Sequence, residues 1–323
     1  MKIILTGAAG FIGSCYLRKL NDLGITHVLT VDTPANPDGI FNLQKKKFHE
    51  YLSREMFLER INKNQLTEYD LIVHLGACSD TTEMDRAFLR RNNLEYSQAL
   101  AKWAMGNGKR FHYASSASVY GDGKKGYSDD DGALSQFKPL NPYAESKHMF
   151  DSWLIREKLT DKAVGFRYFN VFGPNEFHKG EMRSMVCKAV DQIKKDGAVK
   201  LFATSREGYA DGSEERDFIY VKDVDEVMAF FLEHPDKNGI FNVGSGKARS
   251  FKDLMLGVFS ALGKEPAITY IPMPEKLKGQ YQYFTEADLS KLHSAGYKRP
   301  FLSLEDAVAD YVKNHLSPQP TLY

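Results

Sequence analysis

Seven residues near the start, Gly7-Ala8-Ala9-Gly10-Phe11-Ile12-Gly13, constrain this chain more than any other stretch. They follow an apolar run, Ile3-Ile4-Leu5-Thr6, and lead into a helical pattern. Glycines so spaced allow a tight turn, close approach of backbone to a pyrophosphate, and close helix–strand packing. The positive end of the helix then faces the anion. Asp32 lies 19 residues beyond Gly13 and closes the next apolar run, where a carboxylate can accept ribose hydroxyls. A glycine turn without ligand is the alternative for the loop alone, and the placement of Asp32 favours dinucleotide binding. A second small-residue loop, Gly76-Ala77-Cys78-Ser79, ends the third apolar run and lets a cofactor lie against backbone. Cys78 has no evident base partner and reads as part of the wall.

The order of elements gives the fold class. Residues 2–6, 27–32, 70–75, 110–115 and 163–168 read as buried strands, and 12–23, 54–65, 83–106 and 142–159 as helices. That alternation predicts an α/β fold, a doubly wound parallel sheet of the Rossmann kind. Later, helical stretches (182–195, 224–234, 250–262, 303–315) mix with short strands (199–202, 217–221, 240–243, 267–271). We expect residues 1–170 to form an NAD(P)-binding domain, with 217–243 returning to it. Residues 171–216 and 244–323 then make a smaller, mixed α/β substrate domain. The segment 33–50, broken by Pro34, Pro37 and Gly39 and followed by Lys45-Lys46-Lys47, reads as a surface connection with a solvated lysine face.

Composition excludes several alternatives. With 43 Lys and Arg against 42 Asp and Glu, the chain lacks the positive field of a nucleic-acid or membrane-surface binder. Three scattered cysteines are no disulfide framework, no apolar run approaches the ~20 residues of a membrane span, and the N-terminus is no secretory signal. The expectation is a cytoplasmic protein. The nine histidines show no paired metal-ligand spacing, so no metal is expected.

Tyr143-Ala144-Glu145-Ser146-Lys147 places a tyrosine and a lysine on one helix face. A free tyrosine, with a pKa of about 10, is a poor base at neutral pH, and an ammonium one turn away favours its phenolate. Lys147 also reaches cofactor ribose hydroxyls. Upstream, Ser115-Ser116 closes the fourth strand, and Ser116 is placed to hydrogen-bond a reacting alcohol or ketone. The trio suits proton movement as hydride leaves carbon.

The Gly7–Gly13 loop, Ser116, Tyr143 and Lys147 together resemble an extended short-chain dehydrogenase/reductase, over essentially the whole chain. Residues 76–83, 165–171, His178-Lys179-Gly180, Arg216-Asp217-Phe218 and Lys278-Gly279-Gln280-Tyr281 resemble the ADP-L-glycero-D-manno-heptose 6-epimerases. That resemblance implies inversion of carbon 6 of a nucleotide-linked heptose of the lipopolysaccharide core, by transient oxidation to a ketone and hydride return. It implies a tightly held nicotinamide cofactor, NADP with NAD possible, and a homo-oligomer, typically a pentamer. Tyr143 and Lys179 become the two acid/bases. Phe11, Ile12, Asp32, Thr33, Arg54, Gly76 to Ser79, Asn92, Lys147 and Val171 fall on cofactor positions. Asn170, Glu181, Lys188, Phe202, Ala203, Thr204, Ser205, Arg216 and Tyr281 fall on substrate positions.

Four departures stand out. Gly39 stands where the family has a lysine near the adenosine 2′-phosphate, which leaves Arg54 and the lysines 45–47 to attract that group against Asp32. Glu181 replaces a serine and Lys188 a histidine. The loop 206–215 is longer than the family's. Arg216 suits a bidentate clamp on diphosphate, and an ion pair with Glu214 or Glu215 is its alternative.

Other functions fit less well. A 4,6-dehydratase would carry Asp-Glu where this chain has Ala117-Ser118. A 4-epimerase or dehydrogenase shares Ser116, Tyr143 and Lys147 but has no need of a second base at Lys179. A 3,5-epimerase/reductase would place a cysteine at Ala117. A non-enzymatic NAD(P) sensor has no need of Tyr143 and Lys147 together.

Overall fold

The computed structural model describes residues 1–33, 41–204, 208, 210–274 and 282–323. In chain order its first half contains β1 (Ile3–Thr6), α1 (Phe11–Asp22), β2 (Val28–Asp32), β3 (Glu50–Ser53), α2 (Arg54–Asn62) and β4 (Leu71–His74). Then come α3 (Arg86–Leu89), α4 (Tyr96–Gly106), β5 (Arg110–Ser116), α5 (Pro142–Arg156) and β6 (Ala163–Tyr168). A π-helical turn, Arg90–Glu95, joins α3 to α4. The second half adds β7 (Asn170–Phe172), α6 (Met185–Asp196), β8 (Val199–Phe202), β9 (Glu215–Tyr220), α7 (Val221–Glu233) and β10 (Gly239–Val243). It ends with β11 (Ala248–Ser250), α8 (Phe251–Leu262), β12 (Ile268–Ile271), α9 (Ser290–Ser294) and α10 (Leu304–Tyr311).

Side-chain alternation decides how the large sheet is covered. In β1, Ile3 and Leu5 face one layer and Ile4 the other, all fully buried. Ile3 and Leu5 pack with Tyr16, Leu17 and Leu20 of α1 and Val224, Val227 and Phe231 of α7. Ile4 packs with Phe57 of α2, Leu100 of α4, and Phe150 and Leu154 of α5. Both faces are therefore apolar, as a parallel sheet requires. Its order is β10-β6-β5-β4-β1-β2-β3, and every pairing is parallel. This is the doubly wound α/β fold expected from the sequence.

A second core lies between α6, α8, α10 and two small sheets, with Val190, Leu201, Val258, Val308 and Tyr311 at its centre. One of these sheets has the order β11-β9-β7 and the other pairs β12 with β8. The chain passes from the large sheet to the first small one across a single residue, Phe169, whose amide donates to Val243 O.

Several expectations change. Of the two strands expected to return to the first domain, Gly239–Val243 pairs with β6 of the large sheet, and Glu215–Tyr220 pairs with β7 and β11. The segment 33–50 is more than a surface connection. Residues 34–40, including Pro34, Pro37 and Gly39, lie outside the described residues, but Asn42 and Leu43 are buried and Glu50 opens an edge strand. The lysine run is not uniformly solvated, since Lys46 donates to Tyr323 O at 2.6 Å. Burial lowers the Lys46 pKa to about 8. No helix among the described residues is long and apolar enough to cross a membrane.

One buried ion pair ties α5 to the sheet. Asp151 accepts from Arg167 Nε of β6 at 2.9 Å, and from Tyr113 Oη and Ser115 Oγ of β5 at 2.8 and 2.9 Å. Both ionic side chains are 0% exposed. Removing one partner of such a pair strands the other charge and typically costs about 3–5 kcal/mol. Asp151→Ala should therefore lower unfolding stability by roughly that amount in urea. A loss below about 1 kcal/mol would show that the pair does not hold the helix.

Candidate active site

The strand order reverses at β1, and open α/β sheets bind ligands outside the carboxyl ends of strands at such a point. A cleft of about 630 Å³ occupies that position. Its floor comes from Gly7, Gly10, Phe11, Ile12, Gly13, Asp32 and the Gly76–Ser79 loop. Gly10 caps α1 without any side-chain hydrogen bond to the helix amides, so the first turn has no anionic or hydroxyl cap of its own. A Cβ on Gly13 would sit 2.0 Å from Gly7 O. This bare helix end over a glycine floor fits a dinucleotide pyrophosphate.

Asp32 closes β2 beside the loop. Its carboxylate accepts from the amides of Ala9 and Thr33, both at 2.8 Å, and burial raises its pKa against those bonds. Arg54 follows β3, which is paired with β2 through Asp32 and Ser53. It donates to Asn92 Oδ1 and lies 4.2 Å above the Tyr96 ring. Asn93, the next residue, accepts from Cys78 N at 2.9 Å and donates to Cys78 O at 3.0 Å and Ser146 Oγ at 3.0 Å. The π-helical turn thus directs one asparagine to Arg54 and the next to the Cys78 loop. Burial raises the Cys78 thiol, as expected of wall rather than nucleophile.

Asn141 and Pro142 start α5, with the Asn141 side chain accepting from Ala144 N. Tyr143 and Lys147 then line the cleft one turn apart. Burial raises the Tyr143 pKa, and a hydrogen bond to Ser116 opposes the rise. The stabilisation of the phenolate expected from Lys147 is not the opposing influence. Its ammonium donates instead to Ala114 O at 2.9 Å. Burial lowers Lys147 to about 8, against the pull of Asp151.

Lys179 also reaches the cleft, from the short helical turn Phe177–Met182, with Nζ 5.2 Å from the Phe11 ring centre. Burial lowers its pKa, and Glu176 pulls the other way. Glu176 is itself fully buried and belts the turn. Its carboxylate accepts from the amide and hydroxyl of Ser184, both at 2.5 Å, and from Tyr311 Oη at 2.9 Å. Neither Glu176 nor Asn93 carried a sequence signal, because their partners lie in other elements.

Of the remaining candidates, Asn170 and Val171 line the cleft. Thr33, Arg54, Asn92, Glu181, Lys188, Phe202, Ala203, Thr204 and Arg216 are not among its lining residues. Ser205 and Tyr281 lie outside the described residues. Glu181 and Lys188, the two departures, form an ion pair at 3.3 Å. Arg216 donates to the carbonyls of Glu215 and Gln282 and lies 5.6 Å above Phe251. Phe218, two residues along the same strand, lines the cleft together with Phe251, Gln282 and Thr285, none of which the sequence singled out.

Comparison with known proteins agrees with this geometry. The profile of the NAD dependent epimerase/dehydratase family matches residues 3–244. An ADP-L-glycero-D-manno-heptose-6-epimerase of Nitratidesulfovibrio vulgaris (strain DP4) is 48% identical over 315 residues, covering 97% of this chain and 98% of the relative. The crystal structure of the Helicobacter pylori ADP-L-glycero-D-manno-heptose-6-epimerase superposes with a TM-score of 0.81 at 29% identity, covering 97% of this chain and 95% of that one. A Bacillus cereus UDP-glucuronic acid 4-epimerase, solved with UDP-glucuronic acid and NAD, gives 0.77 at 25% identity, covering 97% and 99%. The chain belongs to the NAD dependent epimerase/dehydratase family, among relatives named as ADP-L-glycero-D-manno-heptose-6-epimerases.

Proposed function

We propose that this nucleotide-sugar epimerase inverts carbon 6 of an ADP-linked manno-heptose, with Tyr143 and Lys179 as its two acid/bases. One observation carries the reading: two titratable side chains with pKa values moved by burial enter one cleft from separate elements. The names of the relatives supply the sugar. The proposal includes the expected division of labour, with residues 1–170 holding cofactor and 171–216 and 244–323 holding sugar. It also includes a cytoplasmic location and a homo-oligomeric state.

Carbon 6 carries a hydroxyl and no neighbouring carbonyl, so its hydrogen is not acidic and simple deprotonation has nowhere to delocalise charge. A nicotinamide, when bound, supplies a reversible hydride acceptor. The residues of this chain then manage the proton. Tyr143, held as a neutral phenol by burial, gives its proton to the reacting oxygen, and the phenolate so formed takes one back in the reverse direction, with Ser116 hydrogen-bonded beside it. Lys179, whose pKa burial moves down towards a usable base, exchanges that proton when the oxygen points the other way. Lys147 holds Ala114 O and faces the cofactor cleft, a positioning role. Arg216, two residues from Phe218 on one strand face, is assigned to the diphosphate.

For the cofactor we propose NADP with measurable use of NAD. Arg54 beside the end of β2 attracts a 2′-phosphate and Asp32 repels it. Mass spectrometry of cofactor released on denaturation should show NADP predominating, and a pure NAD population would show that Asp32 prevails.

Tyr143→Phe removes one hydroxyl and keeps the ring. Turnover should fall by about 10²–10⁴ with cofactor content intact. Near-normal turnover would remove Tyr143 from the mechanism. Because the carbon-bound hydrogen never meets solvent, product formed in D₂O should carry no deuterium at carbon 6. Lys179→Ala should cripple inversion without emptying the cofactor cleft. Stoichiometric deuterium at the inverted carbon would overturn the hydride route.

A further inference from the structure

Asn42, which is 3% exposed, lies inside the molecule. Its side-chain nitrogen lies 3.0 Å from Ala9 O, 3.0 Å from Asn175 O and 3.1 Å from His178 Nδ1. Ala9 belongs to the glycine loop. Asn175 and His178 lie on the approach to Lys179, and His178 is its immediate neighbour. An amide nitrogen has two hydrogens, so this one side chain can fasten both loops at once.

Asn175 extends the fastening. It is fully buried at φ +71°, in the left-handed region. Its Nδ2 lies 3.0 Å from Ser14 Oγ, at the start of α1. It also exchanges two bonds with Tyr323, receiving one at Oδ1 from Tyr323 N at 2.9 Å and reaching Tyr323 O at 3.2 Å. The Lys46 ammonium holds the same carbonyl oxygen. Three distant stretches, 42–46, 175–178 and Tyr323, thus meet at the root of the lysine turn.

We infer that Asn42 and Asn175 are positioning residues that lock the Lys179 turn to the glycine loop. The inference rests on the proposed role of Lys179. A lysine is a point charge on a flexible four-carbon stem, and it sits here on a turn outside any long helix. Such a turn moves unless something holds it. A displacement of about 1 Å at a reacting group can cost up to about 10²-fold in rate. Tying the turn to Ala9 O makes the lysine's position follow from the same loop that faces the pyrophosphate, so cofactor and base keep one fixed relation.

The test uses the full chain with its cofactor bound. Asn42→Ala removes both donors. Asn175→Gly removes the side chain while suiting the left-handed backbone, so it decides alone if Asn42→Ala fails to fold. Peptide-level hydrogen exchange should rise roughly 10-fold across 176–184 in each variant, with β1 and β6 unchanged. On ADP-heptose, kcat should fall by about 10-fold or more while KM stays within about 2-fold. Cofactor released on denaturation should stay at the wild-type ratio. Wild-type exchange across 176–184, or a uniform rise across the whole molecule, overturns the inference. Lys179→Ala, run alongside, tests the acid/base reading separately: normal turnover there sinks that reading while exchange still judges the fastening.

Discussion

The cleft depends on how closely two stretches of backbone approach at its floor. A Cβ on Gly7 would lie 2.6 Å from Gly76 N, closer than side-chain carbons come. The loops after β1 and β4 therefore meet main chain to main chain. Thr6 stitches them, lying 3.2 Å from Gly76 N and 2.7 Å from His74 Nδ1. Burial keeps His74 neutral by pulling its pKa down to about 3, so no charge is stranded under the stitch. Where the two loops touch there is room for backbone alone, and the three groups assigned to the proton chemistry arrive from other elements. Tyr143 and Lys147 come from α5, and Lys179 comes from a turn beyond β7.

Burial then sets the chemistry of these three groups in one direction. It raises the tyrosine and lowers both lysines, so each moves towards its neutral form. A neutral phenol is an acid and a neutral amine is a base. The proposed inversion, which handles one oxygen from two sides, calls for one acid and one base. Asp151 counters the trend at Lys147 alone, because it lies one turn further along the same helix face and is itself held by Arg167. Helix placement and local electrostatics are therefore one arrangement.

What could be read in the sequence was what is local. The glycine loop, the Tyr143/Lys147 pair and the apolar strands depend on neighbours within a few residues, and they fell where expected. Asn42 could not be read that way. Its partners lie 33, 133 and 136 residues away, and it sits just after a proline- and glycine-broken stretch. Glu176 and Asn93 were hidden for the same reason. The strand 217–221 was recognised as a strand but not its sheet, because its apolar pattern states that it is buried and not against what. Lys179 came only from resemblance, since nothing in the composition of its loop separates a half-buried lysine from a solvated one.

The π-helical turn Arg90–Glu95 carries a consequence for how such chains can vary in length. Each helical residue advances about 100° around the axis, so one residue more or fewer turns everything beyond it by that angle. Here Asn92 and Asn93, adjacent in sequence, serve Arg54 and Cys78 respectively, while Leu100 and Ala104 beyond them face the core. Because the π turn holds about one residue more than an ordinary turn, deleting a single residue between 90 and 95 would close it with α4 still in register, and would cost one of the two asparagine contacts. Insertions and deletions that loops elsewhere accept freely would be purged from this stretch, and the wide turn would pass between lineages as a fixed unit of length.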